Sequence, residues 1–412
     1  EKRLDEGWCL RRHDELLFHS LMRISSIISV IFVSVCISAG FAGNAAAQQP
    51  KRKAPMLVYI GTYTGGGSEG IYVFQMNPET GELLDRQLAA PSEHPSFLAL
   101  SPDKKFLYAA NETSAWKGKD GTGGVTSFAI DAESGKLTEL NSQPSGGSAP
   151  CHLIVDPSGK NVLVANYSGG NASVYPVAPD GSLGAATGFM QHTGMGAIPN
   201  RQASPHAHSI NLDPAAKFAF VADLGIDRLM SYRFDANAGT ISPNETPSTK
   251  VADGSGPRHF AFHPNGQTAY VINEVAMSVK AFRYDPTKGV LTEFQTISTL
   301  GDEVIADGYS TAHVEVHPSG KFLYGSNRGH DTIVVYKIHP QTGELTYVEN
   351  QSILGQTPRN FGISPDGRFL IAANQNSNDL VVFSVDQETG ALEPTGNKVE
   401  CPNPVCVKFL SL

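Results

Sequence analysis

One pattern recurs six times along the chain: an apolar run, a turn built on Asp-Pro, His-Pro or Ser-Pro, then a second apolar run. The copies are "LALSPDKKFLYAANE", "LIVDPSGKNVLVANY", "INLDPAAKFAFVADL", "FAFHPNGQTAYVINE", "VEVHPSGKFLYGSNR" and "FGISPDGRFLIAANQ". Their prolines, Pro102, Pro157, Pro214, Pro264, Pro318 and Pro365, lie 55, 57, 50, 54 and 47 residues apart. Repetition at this period is the mark of an array built from one supersecondary unit. Short apolar runs joined by Pro, Asn and Gly read as strands and tight turns. A third run follows each hairpin ("GVTSFAID", "DTIVVYKIH", "DLVVFSVD"), then a turn such as "AESGKL" or "QTGEL" and an outer strand. Four antiparallel strands per repeat make a propeller blade.

A seventh unit opens with "LVYIGTY" and "GIYVFQMNPETGEL" and lacks its first strand. The missing strand stands at the other terminus, in "NPVCVKFL". The expected fold is therefore all-β: a seven-bladed β-propeller of four antiparallel strands per blade, closed by the C-terminal strand completing blade one. Closure also removes the open sheet edges that invite aggregation. Length alone would allow two domains, but the repeat makes residues 56–412 one domain.

Before the propeller, Met22 opens an export signal: Arg23, the apolar run "ISSIISVIFVSVCISAGFAG", then "NAAAQQ", with Ala45 and Ala47 at an A-x-A cleavage site. Residues 1–21 read as an upstream extension, 22–47 as the signal and 48–55 as a linker. The expected location is periplasmic or extracellular, the alternative being an anchor left by an uncleaved signal. The formal net charge of −9 falls entirely downstream of residue 47, since the first 47 residues carry five basic and five acidic side chains. An acidic chain without basic clusters excludes nucleic acid and anionic membrane surfaces as partners. Cys151, Cys401 and Cys406 form no disulfide framework, though Cys401 and Cys406 could pair. A monomer is expected.

In a propeller the first strands line a central channel, and the loops entering strand one and leaving strand two surround one mouth. Aligned on their prolines, the repeats show two columns there. Six residues before the proline stand Ser96, Cys151, His208, Arg258, Ala312 and Arg359, followed by Phe97, His152, Ser209, His259, His313 and Asn360. The ends of strand two give Tyr63, Glu112, Tyr167, Leu224, Glu274, Arg328 and Gln375. Charged and imidazole groups are costly to bury unless they pair or bind something. A concave ring of them is the default ligand site. Arg258 and Glu274, at the free ends of one hairpin, should be neighbours, and His208 and Arg328 occupy equivalent places on adjoining blades. His206, His259, Arg359, Gln375 and Glu112 are candidates for contacting substrate. The insertion "MQHTGMGAIPNRQA" could fold over the mouth and bring Arg201 and Gln202 with it. The spacing of His206 and His208 in "SPHAH" could chelate a metal. No carboxylate-rich cluster accompanies them, so neither metal nor cofactor is expected.

The stretches "GPRHFAFHPN…AYVINE", "TPRNFGISPDGRFLIAANQ" and "RQASPHAH" resemble the seven-bladed lactonase family, which includes propeller-type 6-phosphogluconolactonases and a carboxymuconate-lactonizing cycloisomerase. The resemblance spans residues 56–412 and implies hydrolysis of a sugar-acid lactone. It places the cycloisomerase's His, Arg, Glu and Arg on His208, Arg258, Glu274 and Arg328. The implied ligand is a small anionic lactone. Arg258 and Arg328 would clamp its anionic end, while Glu274 or His208 takes a proton from the attacking water. Ring closure on an unsaturated diacid, or a non-catalytic binding platform, are the alternative readings.

Overall fold

The second strand of each repeat explains how the blades stack. "FLYAAN", "NVLVAN", "FAFVAD", "TAYVIN" and "FLIAAN" alternate little between apolar and polar, and in the computed structural model, which describes residues 56–411, they are buried almost without interruption. A strand covered on both faces has no need of a polar side. Each such strand is sandwiched between neighbouring blades, and the resulting apolar clusters run from blade to blade around the ring.

Among the described residues the strands form seven four-stranded antiparallel sheets and one two-stranded ribbon. Blade one contains Met56–Thr62, Gly70–Met76 and Leu83–Pro91, and its innermost strand is Pro404–Leu410 from the C-terminus. Leu57 faces Leu410 and Ile60 faces Val407 across that junction. Closure by the two termini is as the repeat count requires. Cys401 and Cys406 do not pair: both are free, fully buried thiols, and the Cys406 sulfur accepts the Leu98 amide at 3.4 Å.

The turn motif has a structural use. Tyr59, Tyr108, Tyr270 and Tyr324 on second strands donate their hydroxyls to the carbonyls of Gly135, Gly181, Gly343 and Gly390, at 2.8–3.1 Å, in the following blade. Gly390 adopts a φ of +80°, and a Cβ there would sit 2.5 Å from the Phe322 ring. That turn accepts only glycine.

A β-bulge stands at the same place in the first strand of every blade. In five blades the extra, unpaired residue is Ser96, Cys151, His208, Arg258 or Arg359. In blade one it is Val405, and in blade six it falls at Ala312–His313. A bulge re-aims one side chain and twists the strand. It delivers the first of the two mouth columns to the channel.

Candidate active site

Strand two of each blade ends where its chain turns back at the mouth, and the backbone there is fixed by one repeated bond. The amides of Glu112, Tyr167, Leu224, Glu274 and Gln375 donate to the carbonyls of His94, Ala149, His206, Gly256 and Thr357, at 2.7–3.0 Å. His94, Ala149 and Thr357 precede prolines and have φ of 40°, 54° and 61°. Residues before proline favour extended backbone, and a positive φ costs a residue with a Cβ about 1–3 kcal/mol. The fold spends this strain at the rim of the channel, where the candidate residues stand.

Glu274 is the centre of the cluster. The Arg258 Nε donates to its Oε2 at 2.9 Å, Arg328 Nη2 lies 3.0 Å from the same oxygen, and Arg201 Nη2 bonds Oε1. Arg258 and Glu274 are only 2% and 5% exposed. Burial alone would raise the Glu274 pKa. The Arg328 and Arg258 guanidinium charges overcome that effect and hold it well below the usual carboxylate range. Burial and the charges of Arg328 and Arg359 push Arg258 down, to about 9, which leaves it cationic at neutral pH.

The arginines do more than was expected of them. Arg258 Nη1 donates to the Ala312 carbonyl of the next blade at 2.6 Å, and Arg328 Nη2 donates to the Thr311 carbonyl at 2.8 Å. Much of their donor capacity is already committed to protein, which departs from the expectation that this pair is free to grip a ligand. Arg328 Nε is the exception, a buried N–H with no partner.

His208 is buried beside this cluster, 5% exposed. Desolvation and the positive charge of Arg258 lower its pKa well below 6.5, so the imidazole is neutral at pH 7. Its Nδ1 lies 3.6 Å from the Cys151 sulfur, and its Nε2 makes no hydrogen bond among the described residues. Burial pushes the Cys151 thiol up, so it is an inert S–H rather than a nucleophile.

The insertion does close over this side of the mouth. Its short helix, Pro199–Gln202, is pinned by Gln202, whose amide donates to the Leu224 carbonyl and the Asp227 carboxylate at 2.8 Å each. Farther back, His192 Nδ1 meets Asp223 Oδ2 at 2.5 Å in a fully buried pair, while Asp223 Oδ1 accepts the His206 and Gly225 amides. Gln202 is thus an anchor, and only Arg201 reaches the cluster.

The remaining candidates separate. Arg359 and Glu112 form a second group with Tyr63: the Tyr63 hydroxyl donates to Glu112 at 2.8 Å, Arg359 lies 3.9 Å from Glu112, and its guanidinium sits 5.3 Å from the Tyr63 ring centre. His206 precedes the strand rather than sharing a face with His208, and its ring stacks on Tyr167 at 4.5 Å. Among the described residues no three His, Cys, Asp or Glu side chains are grouped to hold a metal ion. His259 lies between the two ends of the channel: its ring meets that of His208 edge-on with centroids 5.5 Å apart, and its Nδ1 bonds His313 Nδ1 at 2.8 Å at the border of the lower cavity. Gln375 is half-buried at the end of its strand, and its amide bonds Thr357. Tyr63 and Tyr167 were the residues to have selected besides these, since they stand in the same column as Glu112 and Glu274.

Comparison with known proteins agrees with this fold. The chain is 41% identical over 352 residues to a Bacillus subtilis protein named 6-phosphogluconolactonase, covering 85% of this chain and 97% of that one. A solved Bacteroides fragilis structure described as a putative 6-phosphogluconolactonase superposes with a TM-score of 0.82 at 37% identity, covering 88% of this chain and 99% of that one. A Pseudomonas aeruginosa periplasmic gluconolactonase gives a TM-score of 0.79 at 31% identity, covering 87% and 99%. Residues 57–409 match the family model described as lactonase, seven-bladed beta-propeller, and the chain belongs to that family.

Proposed function

We propose that the protein hydrolyses a sugar-acid lactone of the 6-phosphogluconolactone type at the channel mouth, with His208 as the base. The observation that carries this is a neutral, buried imidazole with an uncommitted Nε2, set beside a carboxylate that three arginines have made a poor base. The names of the B. subtilis relative and the P. aeruginosa neighbour support the substrate class.

In the reaction His208 Nε2 takes a proton from water as the oxygen attacks the lactone carbonyl. The carbonyl oxygen becomes an oxyanion, which the positive charge of the nearby Arg328 guanidinium stabilises. The ring C–O bond then breaks, and the imidazolium returns its proton to the departing alkoxide. Glu274 positions Arg258 and Arg328 and favours the transient imidazolium through its negative charge. The product is a hydroxy acid that ionises at neutral pH.

We also propose export. The apolar run after Met22 supports it, although that segment lies outside the described residues, and so does the periplasmic relative. Among the described residues no helix is long and apolar enough to cross a membrane.

The test is acid release from 6-phosphogluconolactone and gluconolactone, corrected for spontaneous opening. His208→Asn should lower kcat by about 10²–10⁴-fold with an unchanged circular dichroism spectrum and melting curve. Undiminished turnover in that variant removes His208 from the mechanism.

A further inference from the structure

We infer that Arg359, rather than the Arg258–Arg328 pair, is the anchor for the substrate's terminal anionic group, and that it sets a preference for phosphorylated over uncharged lactones. This rests on the lactonase reading and names the part of the substrate the reading leaves open.

The argument compares how the arginines of the mouth spend their donors. Arg258 gives Nε to Glu274 and Nη1 to the Ala312 carbonyl; Arg328 gives Nη2 to Glu274 and the Thr311 carbonyl; Arg201 is bonded to Glu274. Arg359 makes no hydrogen bond among the described residues. Its nearest carboxylate oxygen, on Glu112, is 3.9 Å away, beyond hydrogen-bond distance. That carboxylate already accepts the Tyr63 hydroxyl. The side chain is nonetheless held in place, lying over the Tyr63 ring and 19% exposed. A fixed guanidinium with all five N–H groups unspent matches a phosphate or carboxylate, which it can bind through two parallel hydrogen bonds.

Location supports the assignment. Arg359 is the bulge residue of blade seven, in the same column as His208 and Arg258. Its charge acts on Arg258 and Arg328, and the charge of Glu274 acts on it, so the four face one mouth. The four arginines and the two glutamates around the mouth leave an excess of two positive charges, an attractive field for an anion. His208 would then act at the lactone carbonyl while the far end of the sugar chain reaches Arg359. Glu112, beside the guanidinium, tempers its hold on the anion.

The experiment measures kcat and KM for 6-phosphogluconolactone and for gluconolactone in the wild type, Arg359→Gln, Arg359→Lys and Glu112→Gln, with calorimetric titration of 6-phosphogluconate alongside. Arg359→Gln should reduce the kcat/KM preference for the phosphorylated lactone about 10–100-fold, the size of a lost charged hydrogen-bond pair, with the loss in KM. Arg359→Lys should restore part of it. Glu112→Gln should move KM for the phosphorylated lactone downward, and it reports even if Arg359→Gln folds poorly. An unchanged preference in Arg359→Gln overturns the assignment. If the wild type hydrolyses neither lactone, the lactonase reading fails separately. The titration then decides: 6-phosphogluconate binding that Arg359→Gln abolishes upholds the anchor, and equal or absent binding in both proteins rejects it.

Discussion

Glu274 and Glu315 stand toward opposite ends of the same channel, Glu274 almost sealed and Glu315 partly open to solvent, and their ionisation is driven in opposite directions. At the mouth, Arg328, Arg258 and Arg201 surround Glu274 and hold it ionised. At the far end, Glu315 lines a cavity of about 490 Å3 with His152, His259, His313, Asn211 and Lys408. Burial raises it from the ordinary 4.5 to about 7, and Lys408 offsets only part of that. The histidines there are neutral too, lowered by burial and by the cations around them. A single proton shared between the Nδ1 atoms of His259 and His313 fits their 2.8 Å contact, whereas two imidazolium rings would set N–H against N–H. Burial is common to both ends. The number of committed cations decides which end is a charged cluster and which is a nearly neutral plug.

The strongest way to break the comparison is to neutralise the mouth. Glu274→Gln leaves Arg258 and Arg328 buried without a counter-charge, and stability should fall by about 3–5 kcal/mol. Urea unfolding at pH 7 measures it. A loss no larger than that of Glu315→Gln would mean that the arginine cluster does not depend on Glu274. Acid titration gives the same contrast with its sign. Glu274 has a depressed pKa in the fold, so its contribution is complete above the unfolded value of about 4.3 and drains away as pH drops below it.

A smaller effect is expected at the plug. His313→Asn removes the partner of His259 Nδ1 in a closed site, where an unmet hydrogen bond costs about 1–3 kcal/mol. Lactone turnover should stay near the wild-type rate, because among the described residues the His313 side chain bonds only His259 and Glu315, and none of His208, Glu274 or the arginines. A large fall in kcat with unchanged stability would make the far end part of the catalytic apparatus.

How much of this was legible follows from what a repeat can and cannot encode. The regularly spaced prolines specify blades, and the misplaced first strand specifies closure, so the architecture is readable from one chain. The Arg258–Glu274 contact is readable as well, because a hairpin brings its free ends together by construction. The two columns were countable, but the bulge that turns Ser96, Cys151, His208, Arg258 and Arg359 inward leaves no residue-type signature. Arg201 reaches Glu274 only because Gln202 finds Asp227 and His192 finds Asp223, contacts between an insertion and a loop that share no period. The spending of Arg258 on the Ala312 carbonyl involves backbone of another blade, which sequence never displays. Glu315 is hidden for a different reason: the lower channel repeats no charged column, and the column that displays His259 and His313 gives no sign of the bond between them.

The finest test concerns Glu315 alone. Its pKa in the fold is above its unfolded value, so between 4.5 and about 7 the folded chain keeps a proton that the unfolded chain gives up. More protons bound to the native state means that stability declines as pH rises through this window, then levels off once both states are ionised. The side chain is 35% exposed, so water screens part of the penalty, and the change is on the order of 1 kcal/mol rather than the several expected of a sealed carboxylate. Glu315→Gln should remove that slope, leaving the variant slightly more stable than the wild type at pH 8 and about equal to it at pH 4.5. Denaturation midpoints across the window read the difference directly. A slope of the opposite sign would mean that Lys408 and His313 hold Glu315 ionised, and the far end would then be a second charged site rather than a plug.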